Sequence, residues 1–401
     1  MHGLRKPSKR HEAQFLLYTR HAPRVRESTI TVMLTAMSSF NKISEDLLYY
    51  IALNIERDLS TLSSLSLVCR TFHRATRALL FRHIGRLSSD KSQLLQRSLA
   101  ENPDLKAHVR SHHIELKDGN LEHDHLKKAL VYPNINELTI SRYIPPVGVK
   151  GDFIGTRRNL LQKFWYGRSV ERDFECEFLD NNDECPFAEI QSISLKQDFT
   201  TTEIIRFMLL PSGQVLRASD LDIMKEARLP VAFAAAKSNV TELELLSGRL
   251  WRIEPVAMRS ILSFCPHLRV LRCQVPMETK FNGQDEITSE VIRPVSPKSL
   301  NAMFEPVRDT LQELSLLNLR HTVPYDGSRM DLSGFRALRD LEVTSCCLLR
   351  PGAPCVEWEG LGDSLPVGLR KLKVRVLSKK KESVLLSSDF FVLSQLTNRD
   401  D

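Results

Sequence analysis

The sequence predicts an α/β protein in which a short helical region precedes a long series of strand and helix units. Two observations predict this fold. Three short apolar helix patterns lie between residues 43 and 84, and an apolar triplet with the spacing L-x-x-L-x-L recurs from residue 109 onward. A chain of 401 residues exceeds one compact core of ordinary size. We therefore expect one elongated repeat structure or two to three domains.

The helical region has a start signal and three apolar faces. Ser44 is the predicted N-cap of the first helix, and Thr61 is the predicted N-cap of the second. The apolar residues at helical spacing are Leu47, Leu48, Ile51 and Ile55, then Leu62, Leu65, Val68 and Cys69, then Phe72, Ala75, Leu79 and Leu80. About 40 residues cannot bury three such faces against one another, so an exposed apolar face and a docking partner are expected.

The run LSLVCR at residues 65–70, together with Ile43, Asp46 and the closing segment at residues 80–84, resembles the F-box. This module attaches substrate receptors to the Skp-type adaptor of cullin-based ubiquitin ligases. Ser44 stands where the family usually has proline, and Thr61 stands at its aspartate. The resemblance implies an adaptor-binding surface at Ile43, Leu47, Leu48, Ile51, Leu62, Leu65, Val68, Cys69 and Phe72. Three helices of an ordinary core are the alternative interpretation.

The repeated triplet predicts a series of strands with one apolar side. The triplets begin at Val109, Ile135, Ile190, Val240, Leu268, Leu311, Leu338 and Leu369. The intervals are 26, 55, 50, 28, 43, 27 and 31 residues, and two of the long intervals are close to twice the short ones. Helical patterns that end near proline precede several triplets, which is the order of an irregular leucine-rich repeat resembling the substrate domains of F-box receptors. An unrelated α/β core with parallel strands is the alternative.

The predicted boundaries follow from these patterns and from composition. Residues 1–36 are a disordered basic arm, 37–86 the F-box, 87–108 a helical linker, and 109–401 the repeat solenoid with insertions at 141–189 and 274–299. The arm holds most of the net charge of +7, so the folded part is close to neutral and nucleic acid is not an expected partner. A mitochondrial presequence is an alternative interpretation of the arm, and Met37 is an alternative start.

The sequence contains few features that point to catalysis. The common hydrolase, zinc, phosphate and dinucleotide motifs do not occur. The eight scattered cysteines favour a reducing compartment, and no apolar run has the length of a membrane helix. The histidines at 112–113 and 123–125 and the acidic residues at 173–184 suggest a metal site only weakly, and Cys346–Cys347 is better explained by packing than by a thioester. We expect no cofactor, no metal and no membrane contact.

The sequence therefore predicts a non-catalytic substrate receptor of a Skp-cullin-F-box ubiquitin ligase in the cytoplasm, the nucleus or both. Its partners would be the adaptor, a cullin through that adaptor, and an unknown protein target. The target would bind the concave side of the solenoid, where strand residues between apolar positions are exposed. The candidates there are Glu242, Glu244, Arg272, Glu313, Asp340, Glu342, Lys371, Lys373 and Arg375, with an acidic middle and a basic last repeat. A leucine-rich scaffold acting outside any ligase is the alternative.

Overall fold

The computed structural model describes a large part of the chain as two compact units. The described residues are 44–56, 58–116, 132–142, 189–197, 199–221, 223–224, 235–246, 252–253, 255–275, 277–280, 291–317, 328–348, 361–375 and 391–392. The first unit is formed by the described residues up to His112, with Tyr132–Asn134, and the second by His113–Val131 and Ile135–Asp401. Ile43, the basic arm and most of the predicted insertion 141–189 lie outside the described residues.

The first unit is mainly helical. Its helices are α1 (Glu45–Asn54), α2 (Leu59–Ser66), α3 (Arg70–Arg82) and α4 (Ser89–Glu101), followed by a 3-10 turn at Pro103–His108. These bounds confirm the three helices predicted between residues 43 and 84, and they place α4 within the helical linker predicted at 87–108. The short strand β1 (His83–Ile84) follows α3 and pairs in parallel with Ser111 and His112, the first residues of β2 (Ser111–Leu116).

Each of the helices α1, α2 and α3 begins at a side chain that accepts a backbone N–H group. Ser44 Oγ accepts from the amide of Leu47 at 3.3 Å, as predicted. The predicted cap at Thr61 is wrong, because α2 begins earlier and its N-cap is Asp58. The Asp58 carboxylate accepts the amides of both Ser60 and Thr61 at 3.1 Å, and also both hydroxyl groups. Cys69 Sγ caps α3 by accepting from the amide of Phe72.

The cap at Asp58 predicts a specific pH dependence. Hydrogen bonds from the Thr61 and Ser60 side chains, and from their amides, lower the pKa of Asp58 from 3.8 to about 2. Its stabilising contribution is therefore fully present above pH 3.8 and is lost as the pH falls through about 2. We expect Asp58→Ala to lower the melting temperature at neutral pH, and the difference from wild type to shrink between pH 4 and pH 2. Circular dichroism melts check this, with Asp46→Ala as control; parallel curves for D58A and wild type across this range would contradict it.

Two buried clusters hold the three helices together. Leu48 of α1 packs with Phe72 and Ala75 of α3, and Ala52 of α1 packs with Leu62 of α2 and Leu79 of α3. Half-buried side chains complete both clusters, namely Tyr49, Leu53, Ile55, Leu65, Val68, Cys69 and Leu80. Each fully buried leucine contributes about 1.5–3 kcal/mol by removal of apolar surface from water. The region therefore has a small core of its own, centred on α3.

The second unit is built on a sheet whose strands follow one another in chain order. After β2 come β3 (Glu137–Arg142), β4 (Ser192–Lys196), β5 (Val215–Ser219), β7 (Glu242–Leu245), β9 (Val270–Gln274), β12 (Glu313–Leu317), β13 (Asp340–Thr344), β14 (Lys371–Arg375) and β15 (Phe391–Val392). All run parallel except β15, which pairs antiparallel with β14 at the edge. The fold is therefore α/β with a ten-strand parallel sheet that includes β1, and it is compatible with an α/β solenoid.

The apolar triplets form the buried side of this sheet. Leu138, Ile193, Leu243, Leu271, Leu314, Leu341 and Leu372, the middle members of seven triplets, are at most 4% exposed. The strand pairs keep a common register, for example Leu314 with both Leu271 and Leu341. Each triplet that the sequence analysis identified thus lies on, or leads into, a strand.

The apolar triplet does not predict one strand of the sheet, β5. Its unit has Gly213, Leu216 and Ala218 at the three triplet positions, so two of the three apolar residues are small. A Cβ atom at Gly213 would lie 3.3 Å from the Leu210 carbonyl oxygen, a close approach that favours glycine. The 50-residue interval between Ile190 and Val240 therefore holds two units of 23 and 27 residues.

The other long intervals are single units with insertions. β3 pairs directly with β4 across the 55-residue interval, and β9 pairs directly with β12 across the 43-residue interval. The predicted insertion at 274–299 within the second interval is not only a loop. It contains β10 (Met277–Lys280) and β11 (Val291–Pro294), which pair antiparallel. Two further short strands, β6 (Ile223–Met224) and β8 (Arg252–Ile253), pair in parallel.

Helices lie between some of the strands and bury their apolar residues. They are α5 (Thr201–Met208), α6 (Pro255–Ser263) and α7 (Pro297–Phe304), the last two at the helical patterns that the sequence predicted. Phe207 and Phe304 are among the largest fully buried side chains. Polar side chains link the turns of neighbouring units: Asn239 Nδ2 donates to the Pro211 carbonyl at 2.7 Å, and Arg308 Nε donates to the Gly334 carbonyl at 3.1 Å.

Candidate functional site

The first helical region exposes an apolar stripe on α1. Leu47, Tyr50 and Ile51 occur at positions i, i+3 and i+4, so they share one side of the helix. Their exposed fractions are 53%, 63% and 43%, which is unusual for large apolar residues. On α2 and directly after it, Leu59 and Leu67 are also exposed. The stripe on α1 is the strongest candidate docking surface of the first unit, because its three residues share one side of a helix.

The structure divides the predicted adaptor-binding residues into two groups. Leu47 and Ile51 are exposed, whereas Leu48, Leu62 and Phe72 are at most 3% exposed and lie in the module core. We correct the prediction for these three, because a side chain already packed inside the module has no surface left for a partner. Leu65, Val68 and Cys69 are half-buried against the same core. Tyr50, Leu59 and Leu67 were missed, although the helical spacing of Leu47, Tyr50 and Ile51 is readable in the sequence.

The second candidate surface is the polar face of the main sheet. It is defined by the strand residues that alternate with the buried positions, and its charged members include Arg217, Glu242, Glu244, Arg272, Glu313, Asp340, Glu342, Lys371, Lys373 and Arg375. All the target-binding candidates predicted from the sequence lie on this face, since they occupy the same register positions of parallel strands. Side chains at equivalent positions on adjacent strands are close enough to form ion pairs.

The charges on the polar face form pairs between strands. Arg272 donates through Nη2 and Nε to Glu313 Oε1 at 2.8 and 3.1 Å, and its Nη1 lies 4.0 Å from Glu242 Oε2. Arg217, on the strand that the sequence analysis missed, lies 3.7 Å from Glu244. Acidic residues still outnumber basic ones on the middle strands, but Arg217 and Arg272 each stand beside glutamates there. The resulting surface has mixed charge.

Glu342 joins the last strands of this face. Its Oε1 accepts from Lys373 Nζ at 2.8 Å and from Arg375 Nε at 2.7 Å, and its Oε2 accepts from Ser315 Oγ at 3.4 Å. Burial alone would raise the pKa of Glu342, but hydrogen bonds and charge from Lys373 and Arg375 outweigh it and lower the pKa. Two of the three cations of the predicted basic strand are thus already paired with a carboxylate.

The groups considered for catalysis are not arranged as reactive sites within the described residues. Burial raises the pKa of the Cys265 thiol to about 12 and also raises that of Cys273, so neither is a thiolate at neutral pH. Cys347 is buried as well.

The adjacent histidines of β2, His112 and His113, point to opposite faces of the strand. The His112 ring contacts Tyr132, and His113 Nε2 lies 2.8 Å from Ser141 Oγ.

The described part of the chain holds no group of three or more His, Cys, Asp or Glu residues placed to bind a metal. The histidines at 123–125 and the acidic residues at 173–184, which suggest a metal site only weakly, lie outside it. No helix in the described segments is both long and apolar enough to cross a membrane.

In comparisons with known proteins, no family model matches the chain, and no curated protein matches it significantly.

Proposed function

We propose that this protein is the substrate-recognition subunit of a Skp-cullin-F-box ubiquitin ligase. The observation that carries the proposal is the apolar stripe of Leu47, Tyr50 and Ile51 on a three-helix module that contains the LSLVCR run. A small module that leaves such residues in water gains free energy when a partner covers them. The apolar groove of a Skp-type adaptor is the partner that the sequence resemblance implies.

The rest of the chain supports a receptor role. A parallel sheet with an exposed polar face offers an extended area for protein contacts, as in other repeat proteins. In this mechanism the helical module docks on the adaptor, the sheet holds a target, and the assembly raises the effective concentration of target lysines near the conjugating enzyme. The protein itself contributes no reacting group in this mechanism.

The proposal predicts that the double variant Leu47→Asp/Ile51→Asp loses adaptor binding by about 100-fold or more, since two charges would be buried against an apolar groove. Both side chains are about half exposed, so the melting temperature should change little. Val256→Asp is the matched control, because Val256 of α6 is 54% exposed and Leu47 is 53% exposed. A pull-down with purified adaptor measures the effect; equal binding by the double variant and the control would reject the proposed surface.

A leucine-rich scaffold acting outside any ligase is the second candidate function. It is favoured by the passage from α3 directly into β1, which pairs with the start of β2, and by the hydrogen bond from the Arg110 amide to the Arg82 carbonyl. In that case the helical module would serve as a structural cap of the first strand. Co-purification from cells followed by mass spectrometry separates the two functions, because only the ligase receptor brings the adaptor and a cullin with it.

A further inference from the structure

Helix α3 carries a row of basic side chains along the side opposite its buried face. The row consists of Arg70, His73, Arg74 and Arg77, at positions i, i+3, i+4 and i+7. The first three are exposed, and Arg77 is half-buried. The helix contains no acidic residue. Its core-facing side is formed by Phe72, Ala75, Thr76 and Leu79.

The basic row lies on the side of α3 that faces away from the module core. Leu48 of α1 packs on Phe72 and Ala75 of α3, so the two helices face each other through these residues. Arg74 reaches Glu45 at the start of α1, so this part of the row lies beside the helix that carries the stripe. The two surfaces nevertheless belong to different helices, and their chemistry differs, because the stripe is apolar and the row is cationic. A partner of different chemistry therefore suits the row.

Arg70 and Arg74 are exposed, so a further partner can reach them. Arg74 Nη2 lies 3.4 Å from Glu45 Oε2, but the two side chains are 66% and 48% exposed, and such surface pairs are weak. Arg77 Nη2 donates to Asn102 Oδ1 at 3.1 Å, which fixes the direction of that guanidinium. Along the helix axis, Arg74 lies about 6 Å and Arg77 about 10.5 Å from Arg70. Carboxylates at the same spacing on one side of a partner helix match these positions.

We infer that the basic row is a docking surface for an acidic segment of a partner protein, separate from the contact made by the apolar stripe. Arginine favours this chemistry because its planar guanidinium binds carboxylates through two parallel hydrogen bonds. Nucleic acid is a poorer match. Residues 44–84 contain five arginines and four acidic residues, an excess of one positive charge, which is small for a surface that binds a nucleic-acid backbone.

Fluorescence anisotropy with a labelled oligoglutamate peptide and the full chain at low salt tests the inference. We expect Arg70→Gln/Arg74→Gln to weaken binding roughly tenfold, since two charge-assisted contacts are removed. Lys91→Gln/Arg97→Gln removes two exposed cations from α4, and Arg20→Gln/Arg24→Gln removes two from the basic arm. Both control variants should bind the peptide with close to wild-type affinity. L47D/I51D should do the same, because the apolar stripe that it changes is separate from the basic row.

Three outcomes would overturn the inference. The first is no peptide binding at low salt. The second is an equal loss in R70Q/R74Q and in either control, because the peptide would then report only general positive charge. The third is tighter binding of an oligothymidylate of the same length through Arg70 and Arg74, which would identify a nucleic-acid surface. Thermal melts of each variant verify that the fold is retained, as expected for exposed positions.

Discussion

Leu48→Ala should lower the free energy of unfolding of the helical module by about 2–5 kcal/mol, whereas Leu47→Ala should change it by less than about 0.5 kcal/mol. The two leucines are neighbours on α1, but Leu48 is fully buried against Phe72 and Ala75, and Leu47 is 53% exposed. Truncation of Leu48 leaves a cavity between α1 and α3. Truncation of Leu47 removes surface that water already contacts.

Urea denaturation followed by a signal from the helical module measures both variants. The pair also separates stability from binding, because L47A should weaken adaptor binding while leaving the module folded. Similar destabilisation by L48A and L47A would contradict the assignment of Leu48 to the core and of Leu47 to the surface. Reduced adaptor binding by L48A alone carries no information about contact, since an unfolded module cannot dock.

Phe207→Ala should destabilise the second unit by about 3–5 kcal/mol. Phe207 lies on α5, is 1% exposed and packs edge to face against Phe199 with ring centroids 6.3 Å apart. The helix belongs to the unit that leads into β5, the strand whose triplet contains glycine and alanine. A large loss of stability on truncation of Phe207 would therefore show that α5, the helix before β5, is packed into the core of the second unit.

Leu209→Ala is the control for this experiment, since Leu209 follows α5 and is only half-buried. Its effect should be clearly smaller than that of Phe207→Ala. Chemical denaturation of the two variants beside wild type provides the comparison. A loss below about 1 kcal/mol for Phe207→Ala would be far under the range for a buried phenylalanine and would contradict the packing described for α5.

The helical module could be predicted from sequence in its elements but not in the roles of all its residues. Apolar residues at helical spacing gave the three helices, because any folded arrangement buries such faces. The same spacing does not distinguish Leu47 from Leu48, since both are leucines on the same helix and only the position of α3 decides which one is covered. The cap of α2 was misplaced for a local reason, because Asp58 and Thr61 are both acceptable N-caps.

The strands of the second unit could also be predicted only in part. Eight strands could be predicted because large apolar residues alternate there with polar ones. β5 could not, because Gly213 fits a close backbone approach that depends on tertiary packing, and Ala218 is a small residue at a buried position. Without β5, the ion pair between Arg217 and Glu244 could not be predicted either. The pairing of β3 with β4 required the structure, since a 55-residue interval alone does not distinguish two units from one unit with an insertion.

The most direct test of the proposed function is a binding titration between the purified full chain and a purified Skp-type adaptor, followed by calorimetry. The proposal predicts saturable binding at one adaptor per chain, retained by V256D and lost by L47D/I51D. Absence of binding to the folded wild-type chain at adaptor concentrations of about 100 μM, which corresponds to a binding free energy weaker than about 5.5 kcal/mol, would contradict the assignment as a ligase receptor.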